Sequence, residues 1–224
     1  MGITIIGAEG SMGRRYSAIV KYLGHKFRAI ELDDQIPEKC DRVIIATPTV
    51  THHHIVTECI RSGANHILVE KPLFQDLNEY DFKPEFPCDI RMVCNYAFID
   101  ATYSVFEPPT YYDNYYAGKE EPWSNFIQLA GLARGSLVVK EDSPLWKCCL
   151  NGKELTLQDV HRSYIMMVEA WLKDPSRLVG VDVAKKWHKK ALKWQTEYQS
   201  ASASKPASVL ADSKTRFLQS SGTD

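Results

Sequence analysis

Gly7, Gly10 and Gly13 stand between an apolar run, Ile3 to Ile6, and a stretch of helical periodicity. At such a place glycine lets the main chain approach a bulky anion, and the free N–H groups of a helix start complement its charge. Glu31 follows Gly13 by eighteen residues, close to the ~20 at which an acid accepts the ribose hydroxyls of a dinucleotide. The G-x-x-G-x-x-G spacing is one residue longer than the commoner form, and three glycines also suit an ordinary tight turn. The strand before, the helix after and the acid beyond favour a dinucleotide loop. Its contacts are expected from Gly7, Glu9, Gly10, Ser11, Met12, Gly13 and Arg14, with Glu31 at the ribose. Glu31, Asp33 and Asp34 would repel a 2′-phosphate, so NAD is favoured over NADP, although Arg14 and Arg15 are near enough to reach one.

The elements that must position these residues alternate from 1 to 96. ITIIG reads as a strand, and Met12, Tyr16, Ile19 and Leu23 then form the apolar stripe of a helix. FRAIELD is a second strand and DRVIIAT a third, stopped by Pro48. Ile55, Val56, Cys59 and Ile60 mark another helix, HILVE a fourth strand stopped by Pro72, and IRMVCNY a fifth. Strands joined this way form a parallel sheet buried on both faces, with right-handed crossovers. The fold class is therefore α/β: a Rossmann-type, doubly wound parallel sheet at 1–96, followed by a smaller α+β domain at 97–199 and a flexible tail at 200–224.

Residues 44 to 73, IIATPTVTHHHIVTECIRSGANHILVEKPL, resemble a segment of the Gfo/Idh/MocA oxidoreductases. There a TP-x-x-x-H motif follows the third strand and an EKP motif follows the next. Pro48 and His52 fall on the first motif, and Glu70, Lys71 and Pro72 on the second. With the glycine loop and the Arg-Arg-Tyr at 14 to 16, the resemblance covers nearly the whole N-terminal domain. It implies an NAD(P)-dependent oxidoreductase that transfers hydride to or from a hydroxyl or carbonyl of a sugar-like or cyclic substrate. It also implies that Thr47, Pro48, His52, Glu70 and Lys71 surround the cofactor, with Lys71 hydrogen-bonded to the reacting oxygen. A cation suits that place, because hydride loss from a carbinol develops alkoxide charge. Outside the motif, a lysine at a strand end is ordinarily a solvent-facing residue.

The resemblance weakens beyond 97. The family usually carries a D-x-x-x-H motif whose histidine moves the proton. The nearest equivalent is Ser124-Asn-Phe-Ile-Gln128, and glutamine exchanges no proton at neutral pH. Lys71 itself, Tyr96 or a tyrosine among 111 to 116 are the substitutes. The alternative is a non-catalytic NAD(P)-binding regulator or accessory protein that has lost the acid/base histidine. FIQLAGLA, SLVVKED and WKCCL read as strands, and Asn151-Gly152 turns WKCCL into KEL as a hairpin. Two helices close the chain. One starts at the capping box Thr156-Leu-Gln-Asp159 with Val160, Tyr164, Met167 and Trp171 along a face. The other is capped by Asp182 with Val183, Trp187, Trp194 and Tyr198.

Composition narrows the partners. The chain has 224 residues, 44% hydrophobic and 25% charged, with net charge −1, which gives no electrostatic reason to expect nucleic acid. The lysines from 185 to 193 read as the solvated face of a helix. No run reaches the ~18 apolar residues of a membrane span. Six cysteines without a C-x-x-C pair, and residues 3 to 6 read as a strand instead of a leader, point to a cytoplasmic protein. No metal spacing occurs among the cysteines and histidines. A small-molecule substrate is the expected partner, and a homo-oligomer remains open because the family often pairs through its second domain.

Overall fold

The computed structural model describes residues 2–99, 110–112, 127–128, 131–132, 137–140, 148–150, 153–203 and 215–218. They fall into two compact units. The first combines Met1–Phe98 with Arg162–Lys185, and the second combines Ile99–His161 with Lys186–Asp224.

The first unit is built on a six-stranded sheet. Strands β1 (Ile3–Ile6), β2 (Phe27–Ile30), β3 (Arg42–Ile45), β4 (His66–Val69) and β5 (Asp89–Met92) all run parallel, in the order β5-β4-β3-β1-β2. Val43, Ile44, Ile45, Ile67, Leu68 and Val69 have no exposed surface, as the near-continuous apolar runs of a sheet covered on both faces require. Helix α1 (Ser11–Tyr22) buries Gly13, Tyr16, Ile19 and Val20, and α2 (His52–Arg61) buries His52, Ile55, Val56, Cys59 and Ile60.

Only two of the four connections between these strands are α-helical. Residues 31–41 carry the chain from β2 past β1 to β3 as turns, with Pro37 in the middle and Lys39 at φ 60°. The β4–β5 connection holds one short 3₁₀ turn, Leu77–Asp81, under Pro72, Pro84 and Pro87. Apolar cover comes instead from an aromatic cluster. Phe74 meets Tyr80, Phe82 and His53 edge-on at centroid separations of 5.1 to 5.4 Å.

The chain leaves this unit near residue 98 and returns to it at Arg162, so the boundary drawn at 96/97 marks only its first exit. Helix α3 (Leu157–Lys173) opens at the expected capping box: Thr156 Oγ1 accepts the Asp159 N–H at 3.0 Å, and Asp159 Oδ2 accepts the Thr156 N–H at 3.0 Å. Tyr164, Met167 and Trp171 are buried, in agreement with the periodicity. Arg42 ties the helix down, donating to the Trp171 carbonyl at 3.2 Å with its guanidinium 5.5 Å from the indole. A two-residue strand absent from the sequence reading, β10 (Val179–Gly180), then joins β5 antiparallel.

The second unit holds β6 (Thr110–Tyr112), β7 (Leu137–Lys140), β8 (Cys148–Leu150), β9 (Lys153–Glu154) and β11 (Thr215–Leu218), in the order β11-β7-β6-β8-β9. The β8–β9 hairpin is antiparallel as expected, with Asn151 and Gly152 themselves outside the described residues. The sheet is mixed, since β6 and β7 run parallel. Within FIQLAGLA, read as a strand, the described residues 127–128 and 131–132 are helical. Ala, Leu and Gln, which favour helix over strand, outnumber the segment's one β-branched residue, Ile127, and Gly131 faces Trp187 so closely that a Cβ would overlap the indole. Helix α4 (Val181–Ala203) includes Asp182 in its first turn. It buries Ala184, His188, Ala191 and Trp194 and leaves Val183 43% exposed, so Ala184 takes the packed position expected of Val183. The stretch read as a loose tail contains β11, whose Thr-Arg-Phe-Leu pairs antiparallel with β7. Tyrosines 103, 115 and 116 lie outside the described residues, as do the side chains of 111 and 112.

Candidate cofactor and active site

The three glycines do different work. Gly7 ends β1 at φ +77°, and a Cβ there would come within 2.9 Å of the Thr47 side chain. Gly13 packs the first turn of α1 onto the loop, where a Cβ would overlap the Gly7 carbonyl oxygen and Ala8. Gly10 is unlike both. Its φ is −65°, which any residue adopts, and a Cβ would meet nothing nearer than the Gly7 oxygen at 3.3 Å. The fold needs Gly7 and Gly13, whereas Gly10 leaves space at the mouth. It is the N-cap of α1, no side chain caps the helix in its place, and the first turn contains no acid. Glu9, Ser11 and Arg14 are exposed, and Met12 is half-buried. Arg15 turns back, with its guanidinium 4.8 Å from the Tyr164 ring.

Glu31 follows β2 at the same lip. Its Oε1 accepts the Glu9 N–H at 2.8 Å, and its own N–H donates to Asp34 Oδ2 at 2.7 Å. The carboxylate is thereby held over the glycine loop. Behind it opens a pocket of about 340 Å³, lined in part by Leu32, Asp34, Ile36, His54, Ile55 and Glu58. Glu31, Asp34 and Glu58 give its lining three carboxylates, with no lysine or arginine beside them.

Past β3, Thr47 is buried and Pro48 exposed. The Thr51 hydroxyl lies 2.8 Å from Thr47 Oγ1. His52 is 1% exposed. Its Nδ1 lies 2.9 Å from the Pro72 carbonyl oxygen and 3.2 Å from that of Leu73, and its Nε2 lies 2.9 Å from that of Thr47. The ring therefore staples the turn after β3 to the turn after β4. His52 was expected at the cofactor; both of its ring nitrogens lie against backbone carbonyl oxygens of the protein itself, and whichever carries the N–H donates to one of them.

Glu70 is committed in the same way. It is 8% exposed, Oε1 accepts from the Tyr16 hydroxyl, and Oε2 accepts the Lys71 N–H at 3.0 Å. Burial, and then the Glu70 charge, hold the Tyr16 phenol well above its ordinary range. Lys71, 9% exposed, lies two residues past the end of β4, ahead of a cis Pro72. Its Nζ lies 3.6 Å from Glu70 Oε2 and donates to the Tyr164 hydroxyl at 3.0 Å. Burial raises the Tyr164 phenol, with the Lys71 ammonium acting in the opposite sense. Cys94 remains a neutral thiol, since burial pushes it up to about 12. Asn95, one residue on, donates from Nδ2 to Ser163 Oγ at 2.9 Å.

Tyr96 is buried in the 3₁₀ turn Asn95–Phe98 that follows β5. Gln128 belongs to the second unit and is fully buried there. Tyr164, Ser163 and Asn95 were not singled out as site residues. Tyr164 sits on the apolar stripe of α3, where periodicity reads it as core, and no local signal discloses a partner 93 positions away. Among the described residues no group of three or more His, Cys, Asp or Glu could hold a metal ion, and no helix is long and apolar enough to cross a membrane.

A parallel sheet with a glycine turn opening its first helix and an acid after its second strand is a Rossmann-type unit. Residues 4–81 match the Gfo/Idh/MocA model, described as an oxidoreductase family with an NAD-binding Rossmann fold. Several solved dehydrogenases share the fold. The WlbA (WbpB) dehydrogenase from Thermus thermophilus, in complex with NAD and UDP-GlcNAcA, superposes with a TM-score of 0.58 at 15% identity, over 85% of this chain and 93% of that one. An oxidoreductase from Agrobacterium radiobacter, in complex with NAD+, L-tartaric acid and magnesium, gives 0.63 at 11% identity over 92% and 97%. The scyllo-inositol dehydrogenase from Lactobacillus casei, with NAD(H) and scyllo-inositol bound, gives 0.58 at 10% identity over 98% of each. No curated protein matches the sequence.

Proposed function

We propose that the first unit binds NAD and that the chain transfers hydride to or from a hydroxyl or carbonyl carbon of a sugar-like or cyclic substrate. The observation that carries this reading is the mouth of the glycine loop. Gly10 opens a twelve-residue helix with no capping side chain and no acid in its first turn. Backbone amides of Ser11, Met12 and Gly13 would hold the diphosphate there. Glu31, beside them, would accept the ribose hydroxyls, and Leu32, Ile36 and Ile55 would flank the adenine in the pocket behind. Glu31, Asp34 and Glu58 around that pocket would repel a 2′-phosphate, which favours NAD over NADP.

When bound, the nicotinamide supplies or takes up the hydride. Lys71, at the carboxyl end of β4, places its ammonium to stabilise the charge that develops on the substrate oxygen. Glu70 and His52 fix the main chain on either side of it. The sugar and inositol dehydrogenases of like fold support the substrate class. One feature of the sequence supports a second reading, a cofactor-binding accessory protein without turnover: the nearest equivalent of the family's D-x-x-x-H motif, residues 124 to 128, ends in Gln128 and not in histidine.

Calorimetry with NADH and NADPH tests the first step. Absorbance at the nicotinamide band over a panel of sugars, sugar nucleotides and cyclitols tests the second. NADH is expected to bind at least about tenfold tighter than NADPH, a difference of ~1.4 kcal/mol, and one substrate class should turn over. Binding without turnover selects the accessory protein, and no heat with either nucleotide sinks both readings.

A further inference from the structure

We propose that Tyr164 is the positioning residue of Lys71, its hydroxyl holding the ammonium at the end of β4 so that the charge meets the substrate oxygen in a fixed place. This rests on the role proposed above for Lys71.

The contact is long-range and buried. Lys71 Nζ and Tyr164 Oη are 3.0 Å apart, across 93 positions of sequence, with the residues 9% and 3% exposed. A buried ammonium is costly unless it is hydrogen-bonded, and the Glu70 oxygen at 3.6 Å is beyond ordinary hydrogen-bonding distance. Tyr164 supplies the shorter contact. Its ring is itself held: Tyr16 meets it edge-on at 6.1 Å, and the Arg15 guanidinium covers it at 4.8 Å. The preceding residue of α3 makes a parallel contact, Ser163 with Asn95 at the end of the neighbouring strand β5. Two consecutive helix residues thus reach two adjacent strand ends on the carboxyl side of the sheet.

The choice of a phenol has a chemical consequence. A second carboxylate would also hold the lysine, but it would cancel the field that the substrate oxygen is meant to feel. A neutral phenol accepts the hydrogen bond and leaves the positive charge intact. Burial raises the Tyr164 phenol and keeps it neutral.

Tyr164→Phe keeps the ring contacts and removes only the oxygen. Acetic anhydride labelling of Lys71, followed by mass spectrometry across pH, reads the lysine without cofactor or substrate. In the variant Lys71 is expected to titrate about one unit lower, because its charged form has lost an acceptor. NADH affinity should stay within about twofold, while kcat for the substrate identified by the panel falls about tenfold with KM little changed. An unshifted labelling curve overturns the proposal, whatever the activity does. If the curve shifts but the wild-type chain binds no NADH, the contact stands and its purpose in hydride transfer is overturned, a result distinct from failure of the contact itself. Should Tyr164→Phe not fold, Lys71→Met reads the pair from the other side. With ζ-¹³C-tyrosine NMR, Tyr164 is expected to ionise at higher pH than in the wild type, and an unmoved signal overturns the proposal.

Discussion

The glycine loop and the Lys71 corner both stand at carboxyl ends of parallel strands, yet they are made of different material. The loop is backbone: Gly7 and Gly13 remove side chains the fold has no room for, and Gly10 leaves an opening. The corner is side chain: Tyr16, Glu70, Lys71 and Tyr164 come from α1, β4 and α3 and are nearly all buried. One region faces outward with amides to offer, and the other has its polar atoms engaged within the protein. Substitutions should therefore separate cofactor affinity from stability at the first and couple stability with chemistry at the second.

Gly13→Ala would break the comparison most severely. Its Cβ has no space against Gly7 and Ala8, and overpacking of this kind costs about 3 kcal/mol, to be read as a lower urea midpoint. Tyr16→Phe comes next, since it leaves Glu70 Oε1 buried without its donor, at ~1–3 kcal/mol by the same measurement. Gly10→Ala should do the opposite of Gly13→Ala. Stability is expected to fall by only ~1 kcal/mol, because alanine is a poor N-cap and its Cβ meets the Gly7 oxygen at 3.3 Å, whereas NADH affinity drops about tenfold in calorimetry, ~1.4 kcal/mol. Equal effects of the two alanines on stability would erase the distinction between a structural and a ligand-facing glycine. The smallest effect concerns alkaline pH. The folded-state pKa of Tyr16 is raised above its unfolded value of 10.0. Its contribution is therefore fully present below that pH and is lost as pH climbs toward the folded value. Stability measured above pH 10 should decline less steeply in Tyr16→Phe than in the wild type.

The same contrast governs what the sequence disclosed. Gly7, Gly10, Gly13 and Glu31 announce themselves because a backbone site is written locally, in spacing between a strand and a helix. Each parallel strand was legible as a short, mainly apolar run bounded by turn residues, and the hairpin of β8 and β9 through Asn151-Gly152. Tyr164 was legible only as one more apolar step of α3, because its partner is set by tertiary packing. His52 and Glu70 were expected to face a ligand, yet burial turned their polar atoms toward backbone carbonyls and Tyr16. The helical state of residues 127–128 was missed because an apolar run of that length suits either period. Strand β10 is too short to carry a period at all.

The return of the chain to its first unit has a consequence during synthesis. A nascent polypeptide that has emerged only as far as residue 98 carries β5 without the cover of β10, and Lys71 without its phenol. Domains ordinarily fold as units, N-terminal first, as they leave the ribosome. Here that order is interrupted, because the first unit must wait for Lys185 before its last strand and the helix that carries Tyr164 arrive, and everything between has to be translated first.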